Sequence, residues 1–167
     1  MKCVTYRKAT LEDLEALWTR NIADNPGDVR WERWKNEYIA YHVEGKSSTF
    51  AVVIDGIPVG EGTLLFSPEC RAVAGSMELA DGVSVANVNA LRICKAYEGQ
   101  GHISALMRLM ESSAKAMGMT RLTIGVDARE TRNLAIYLHW GFRDFVASAV
   151  EDDELVLYYA KEISVSG

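Results

Sequence analysis

The sequence predicts a mixed α/β fold in which a sheet carries helices on both faces. Three observations predict it. Apolar segments of period two and of period three to four follow one another in the order βααβββαβαββ. An Asp55-Gly56 pair between two β-branched runs marks a hairpin. A Gly99-Gln100-Gly101 step separates a strand rich in Val, Ile and Leu from a helical stripe.

Each element has its own signal. Val4 and Tyr6 alternate with polar residues, giving a first strand. Thr10 followed by Asp13 forms a capping box, and Leu11, Leu14, Leu17, Trp18 and Ile22 repeat at helical spacing up to Asn25-Pro26-Gly27. Trp31, Trp34, Tyr38 and Tyr41 give a second amphipathic helix. Residues 49–54 and 57–66 are the hairpin strands, 67–81 an irregular connection, and 83–94 a further strand. Ile103, Leu106, Met107, Met110 and Ala114 form the next helix, with Gly118 as its C-cap. Residues 122–126 alternate as a strand, and 131–139 form a short helix ending at Gly141. Residues 142–149 and 155–163 are the closing strands. The chain contains no internal repeat, low-complexity tract or linker, so residues 1–167 are expected to form one domain.

Composition narrows the function classes. An apolar content of 49% suffices for a real core, yet no apolar run reaches membrane-spanning length. The N-terminus turns polar at once and lacks the apolar stretch of a signal peptide, so a cytoplasmic protein without a membrane partner is expected. Cys3, Cys70 and Cys94 form no CxxC pair and are odd in number, which argues against a disulfide framework and against a zinc site. A net charge of −5 makes nucleic acid an unsuitable main partner, and it mildly favours a cationic substrate such as an amine.

Two segments carry chemistry. The first is Leu91-Arg92-Ile93-Cys94-Lys95-Ala96-Tyr97-Glu98-Gly99-Gln100-Gly101-His102-Ile103-Ser104. Its glycines let backbone come close to a ligand, and the following helix presents unpaired N–H groups and a positive dipole end. That combination suits a phosphate or pyrophosphate. A tight turn that only reverses the chain has the same Gly-x-Gly. A dinucleotide fingerprint needs a third glycine where Ser104 stands, and a Walker loop needs a Gly-Lys-Ser/Thr that is absent. The second segment is Glu130-Thr131-Arg132-Asn133-Leu134-Ala135-Ile136-Tyr137-Leu138-His139-Trp140-Gly141-Phe142. A phenol such as Tyr137 can donate a proton or a hydrogen bond, or it can simply pack one face of a helix.

The pair of segments resembles the GNAT superfamily of N-acetyltransferases. The family signature is Gln/Arg-x-x-Gly-x-Gly/Ala after a strand with an alternating apolar pair. Gly101 falls on its first glycine, Leu91 and Ile93 on the apolar pair, and Tyr97 on the preceding aromatic. Glu98 stands in place of Gln or Arg, and Ile103 in place of Gly or Ala. The second segment is similar to Asn-x-x-Ala-x-x-x-Tyr-x-x-x-Gly-Phe, matching at Tyr137, Gly141 and Phe142, with Glu130 in the Asn place and Asn133 in the Ala place.

The resemblance implies an acyl-CoA N-acyltransferase fold with a mixed, mostly antiparallel sheet. It also implies acetyl-CoA as acyl donor, and direct transfer to a primary amine of a small molecule or peptide. Leu91 and Ile93 would hold the pantetheine arm. Glu98, Gly99, Gln100, Gly101, His102, Ile103 and Ser104 would surround the pyrophosphate, with Asn133 counted among the cofactor contacts. Backbone N–H groups around Ile93 would polarise the thioester carbonyl, and Tyr137 would assist the thiolate. Glu98 either points to solvent, with Arg92, Lys95 or Arg108 supplying positive charge, or lowers cofactor affinity.

The general base stays open. Glu61 and Glu78 are candidates, each of which also reads as a solvated surface residue, and His42, His102 and His139 are weaker ones. Cys94 has no His partner at fixed spacing and is expected as a packed core thiol. Trp31, Trp34, Tyr38 and Tyr41, with Asp24, Asp28, Glu32 and Glu37 nearby, could receive a cation; the same stripe could equally bury the helix on the sheet. A homodimer paired through the last strand is possible. The alternatives to an enzyme are a non-catalytic acyl-CoA-binding or sensor module on the same fold, and an unrelated interaction domain.

Overall fold

A computed structural model describes residues 1–163. Seven strands, β1 (Val4–Lys8), β2 (Ser47–Ile54), β3 (Ile57–Leu65), β4 (Val85–Ile93), β5 (Arg121–Asp127), β6 (Asp144–Glu151) and β7 (Glu154–Glu162), form a sheet in the order β1-β2-β3-β4-β5-β7-β6. Helices α1 (Leu11–Asp24), α2 (Arg30–Val43), α3 (His102–Ala116) and α4 (Thr131–His139) complete the expected βααβββαβαββ order. The β4–β5 ladder is parallel, while β1–β2, β5–β7 and β6–β7 are antiparallel, which makes the sheet mixed and mostly antiparallel.

Contacts divide the chain into two compact units. One contains Met1–Leu64 with Ala90–Ser112, the other Leu65–Asn89 with Ser113–Gly167. In the first unit, α1 starts where Thr10 Oγ1 accepts from the Asp13 N–H at 3.1 Å and Asp13 Oδ2 accepts from the Thr10 N–H at 2.9 Å. These bonds satisfy two donors that the helix itself cannot. Arg7 of β1 also pairs with Asp13, so strand and helix start are joined. The β2–β3 hairpin turns at Asp55 (φ 51°) and Gly56 (φ 80°), the primed geometry that matches strand twist. Ala9, Leu17, Ala51 and Val53 cluster where α1 lies on β2. Successive residues of a strand point to opposite faces. Glu61 meets Asn21 of α1, whereas a Cβ at Gly62 would lie 2.7 Å from Met110 Sδ of α3. Thus α1 and α3 cover opposite faces of β3, and glycine at 62 permits the close approach of α3.

In the second unit, β4 and β5 pair through Val85–Arg121 to Val88–Ile124. Asn87 Nδ2 donates to Thr123 Oγ1 at 3.0 Å, and Thr123 Oγ1 donates to the Leu79 carbonyl at 2.8 Å. These bonds satisfy fully buried polar side chains, as low dielectric demands. The connection 67–81 is irregular as expected, with one helical turn at Arg71–Val73 and a buried set of Cys70, Val73, Leu79 and Ala80. β7 lies between β5 and β6. This corrects the expectation of a dimer paired through the last strand, because both of its edges are taken. The β6–β7 hairpin turns at Asp152 (φ 49°) and Asp153 (φ 65°), a glycine-free turn that composition does not announce.

Candidate active site

The Gly99-Gln100-Gly101 step is a true backbone feature. Gly99 (φ 72°) and Gly101 (φ 84°) lie in the left-handed region, and a Cβ at either would meet nothing within 4 Å. Both glycines are therefore needed for chain direction, and the space above them is open to a ligand. The first helical bond of α3 runs from the Ala105 N–H to the Gly101 carbonyl at 3.1 Å. The N–H groups of His102, Ile103 and Ser104 thus lack intrahelical acceptors. Among the described residues, no hydrogen bond uses the N–H groups of residues 99–104. Glu98 is exposed, as are Gly99, Gln100 and Gly101 of the turn it precedes.

His102 is buried and held from three sides. Its Nδ1 shares a hydrogen bond with the Tyr6 hydroxyl at 2.8 Å, its Nε2 lies 3.3 Å from Gln100 Oε1, and its ring meets those of Tyr6 and Tyr97. It fixes the turn against β1. Upstream, the ladder of β4 with β5 runs only to Val88, and Ala90 has φ 52°. A non-glycine residue in that region is strained, and such strain gathers where backbone meets ligand. Leu91 and Ile93 follow directly, both half-buried.

The structure brings together a group that the sequence reading did not assemble. Glu61 is 2% exposed, so the expectation of a solvated surface carboxylate is corrected. Its Oε1 accepts from Arg92 Nη2 at 3.2 Å and its Oε2 from Asn21 Nδ2 at 3.3 Å. Burial pushes the Glu61 pKa above the ordinary carboxylate value, and the Arg92 charge, Asn21 and Arg20 oppose that rise without cancelling it. The Arg92 guanidinium lies 4.8 Å from the Trp18 ring centre and 4.9 Å from that of Trp31. The aromatic stripe does receive a cation, but it is the protein's own. Arg30 lies similarly over Trp34 at 5.3 Å, and Trp18, Trp31, Trp34, Tyr38 and Tyr41 form a chain of ring contacts. Arg92 is therefore engaged with Glu61 and the indoles, and of the three cations expected to offset Glu98, Lys95 and Arg108 are the exposed ones. Arg20 donates to the Pro58 carbonyl at 2.6 Å and to Cys94 Sγ at 3.2 Å. Cys94 is half-buried beside a guanidinium, not a core thiol in apolar packing as expected. Glu78, the other candidate base, is exposed.

In the second unit, Tyr137 packs its ring 5.7 Å from that of Trp140. Burial, with a smaller contribution from Glu130, raises its pKa, so the phenol keeps its proton at neutral pH. The Tyr-x-x-x-Gly-Phe spacing has a local cause. The Gly141 N–H donates to the Leu138 carbonyl and the Phe142 N–H to the Tyr137 carbonyl, both at 3.0 Å, and Gly141 has φ 103°. This is a Schellman closure in which the Tyr137 carbonyl, in the last turn of α4, takes the outer bond and Phe142, fully buried, anchors the exit. Glu130 and Asn133, the two departures from the second pattern, compensate each other, because the Asn133 amide donates to the Glu130 carboxylate.

The profile of the Acetyltransferase (GNAT) family matches residues 9–142, well over half of the chain. The chain belongs to the GNAT acetyltransferase family. No curated protein sequence matches it. Solved GNAT structures resemble it closely in fold. Ard1 from Thermoplasma volcanium is 15% identical with a TM-score of 0.73, over 96% of this chain and 98% of that one. Ribosomal-protein-alanine N-acetyltransferase from Brucella melitensis is 15% identical with a TM-score of 0.69, over 95% and 99%. A chimera of the spermidine N-acetyltransferase SpeG from Vibrio cholerae is 13% identical with a TM-score of 0.68, over 95% of each chain. At such identities the likeness speaks for the fold alone. As a GNAT acetyltransferase, this chain carries an acyl-transfer scaffold; no helix among its described residues is long and apolar enough to cross a membrane.

Sequence reasoning missed Arg20, Asn21 and Ala90. A signal for the Glu61–Arg92 pair was present. Each is the only charged residue of its strand, and burial of one requires the other. Ala90 carries no signal, since nothing in an alanine announces a left-handed backbone.

Proposed function

We propose that this GNAT protein transfers the acetyl group of acetyl-CoA directly to the primary amine of a small molecule or peptide. The observation that carries the reading is the open glycine turn feeding the N-terminus of α3, directly after a strand that leaves its ladder and bends at Ala90. Acetyl-CoA supplies an activated thioester and a thiolate leaving group. The N–H groups of Gly99, Gln100, Gly101, His102, Ile103 and Ser104 hold the pyrophosphate, aided by the helix dipole. The backbone of Leu91 and Ile93 holds the pantetheine arm, and the N–H around Ile93 polarises the carbonyl. The family resemblance counts Asn133 among the cofactor contacts.

Tyr137 stays protonated and donates to the departing sulfur. Glu61, with its raised pKa, takes the proton that the attacking ammonium must lose. It is buried, with Arg92 and Asn21 as its hydrogen-bond donors. Three free cysteines fit a reducing, cytoplasmic setting. We take the whole chain to act as one domain.

The test is release of CoA thiol when the protein is mixed with acetyl-CoA and a panel of amino acids, aminoglycosides, polyamines and short peptides. Amine-dependent thiol release is expected. Tight acetyl-CoA binding without release by any amine would point to the alternative, a non-catalytic acyl-CoA sensor.

A further inference from the structure

We propose that Arg92 selects the acceptor, and that the acceptor is an amine carrying a carboxylate close to its nitrogen, as in a free amino acid. The inference deepens the acetyl-transfer reading above and rests on it.

The argument begins with charge. Arg20 and Arg92 converge on one buried carboxylate, Glu61, so this pocket of the first unit is locally cationic although the chain carries −5 overall. A bare polyamine is repelled there, and the indoles that could have caged its ammonium already hold Arg92. An anion is attracted.

Next comes donor capacity. A guanidinium has five N–H donors in a rigid fork. Arg92 spends one, at Nη2, on Glu61. Its Nε is buried without an acceptor, as is Trp18 Nε1 beside it. Unmet buried donors are uncommon and ask for a reason. The side chain is 29% exposed, whereas that of Glu61 is 2% exposed, so Arg92 is the member of the pair that an incoming molecule meets.

Last comes position. Two indole faces and Glu61 fix the fork in place, which suits the planar recognition of a carboxylate. Arg92 lies between Leu91 and Ile93, the residues assigned to the pantetheine arm and thioester. A carboxylate held at Arg92 leaves an amine a few bonds away near the carbonyl it attacks.

The experiment compares matched acceptors. Each L-amino acid is set against its carboxamide, in which only the carboxylate charge is lost, with spermidine as a third probe and thiol release as readout. The acid of the best pair is expected to exceed its amide in kcat/KM by roughly ten- to a hundredfold, the range of a hydrogen bond to a charged group. Spermidine is expected to be poor. Arg92→Lys keeps a charge beside Glu61 but loses the fork. It is expected to raise KM for the acid about tenfold and to bring the acid-to-amide ratio of kcat/KM toward one, whatever the change at Glu61 does to both acceptors alike. Turnover of amide or spermidine at the rate of the acid overturns the proposal, as does an acid-to-amide ratio unmoved in Arg92→Lys. Absence of turnover with every acid and amide overturns the proposal; the acetyl-transfer reading falls with it only when aminoglycosides, polyamines and short peptides also release no thiol.

Discussion

Tyr137 and Glu61 are tuned in the same direction by burial and are used for opposite tasks. A phenol with a raised pKa keeps the proton it must give, and a carboxylate with a raised pKa holds more firmly the proton it must take. Tyr137→Phe removes only the donor. It is expected to lower kcat about a hundredfold or more while acetyl-CoA binding, measured by calorimetry, stays near normal. An unchanged kcat removes Tyr137 from the mechanism. Glu61→Gln keeps an acceptor for Arg92 but cannot take a proton. The wild type is expected to lose kcat/KM as pH falls through the raised Glu61 pKa, and the variant to be slow with that acid limb gone. Asp81 offers a test of stability. Burial raises its pKa, but the N–H groups of Val85, Val83 and Ser84 and the Ser84 hydroxyl outweigh burial and bring it down to about 2. A depressed carboxylate stabilises the fold above its unfolded pKa of about 4 and loses that contribution as pH falls through its folded value. Asp81→Asn is therefore expected to cost about 1–2 kcal/mol at pH near 7. In urea denaturation, the gap between variant and wild type closes as pH drops toward about 2.

Helix ends explain why parts of the site could be read in advance. Gly45, Gly118 and Gly141 each close a helix with φ of 74°, 87° and 103° and with paired backbone bonds. Gly141→Ala would force Cβ into the left-handed region and within 3.2 Å of the Lys161 side chain. A loss of about 1–2 kcal/mol in thermal or chemical denaturation is expected, and because Tyr137 lies in the last turn of this helix, kcat should fall as well. The glycines, the capping box and the Asp55-Gly56 turn were legible because each backbone need has few residue solutions. The strands were legible from alternation, with ends moved by at most two residues. The Glu61–Arg92 pair was only half legible: each is the lone charge of its strand, which signals that a partner is needed but not which distant residue supplies it. The bend at Ala90 and the glycine-free turn at Asp152-Asp153 were hidden because ordinary residues occupy left-handed positions there.

At the scale of the molecule, family and fold follow from the GNAT profile over residues 9–142 and from neighbours such as Ard1 with a TM-score of 0.73. Net charge describes the molecule and not the surroundings of one buried group. A chain of −5 places two guanidiniums around one buried carboxylate, so global acidity and local electrostatics disagree, and it is the local field that a substrate meets. The sheet order also removes the last strand as a dimer edge. What joins these levels is the claim that the glycine turn and α3 hold acetyl-CoA. Calorimetric titration of the purified protein with acetyl-CoA, with NAD as the comparison ligand, tests that claim most directly. The account predicts saturable micromolar binding of acetyl-CoA and none of NAD. Absence of acetyl-CoA binding, or equal binding of NAD, would contradict it.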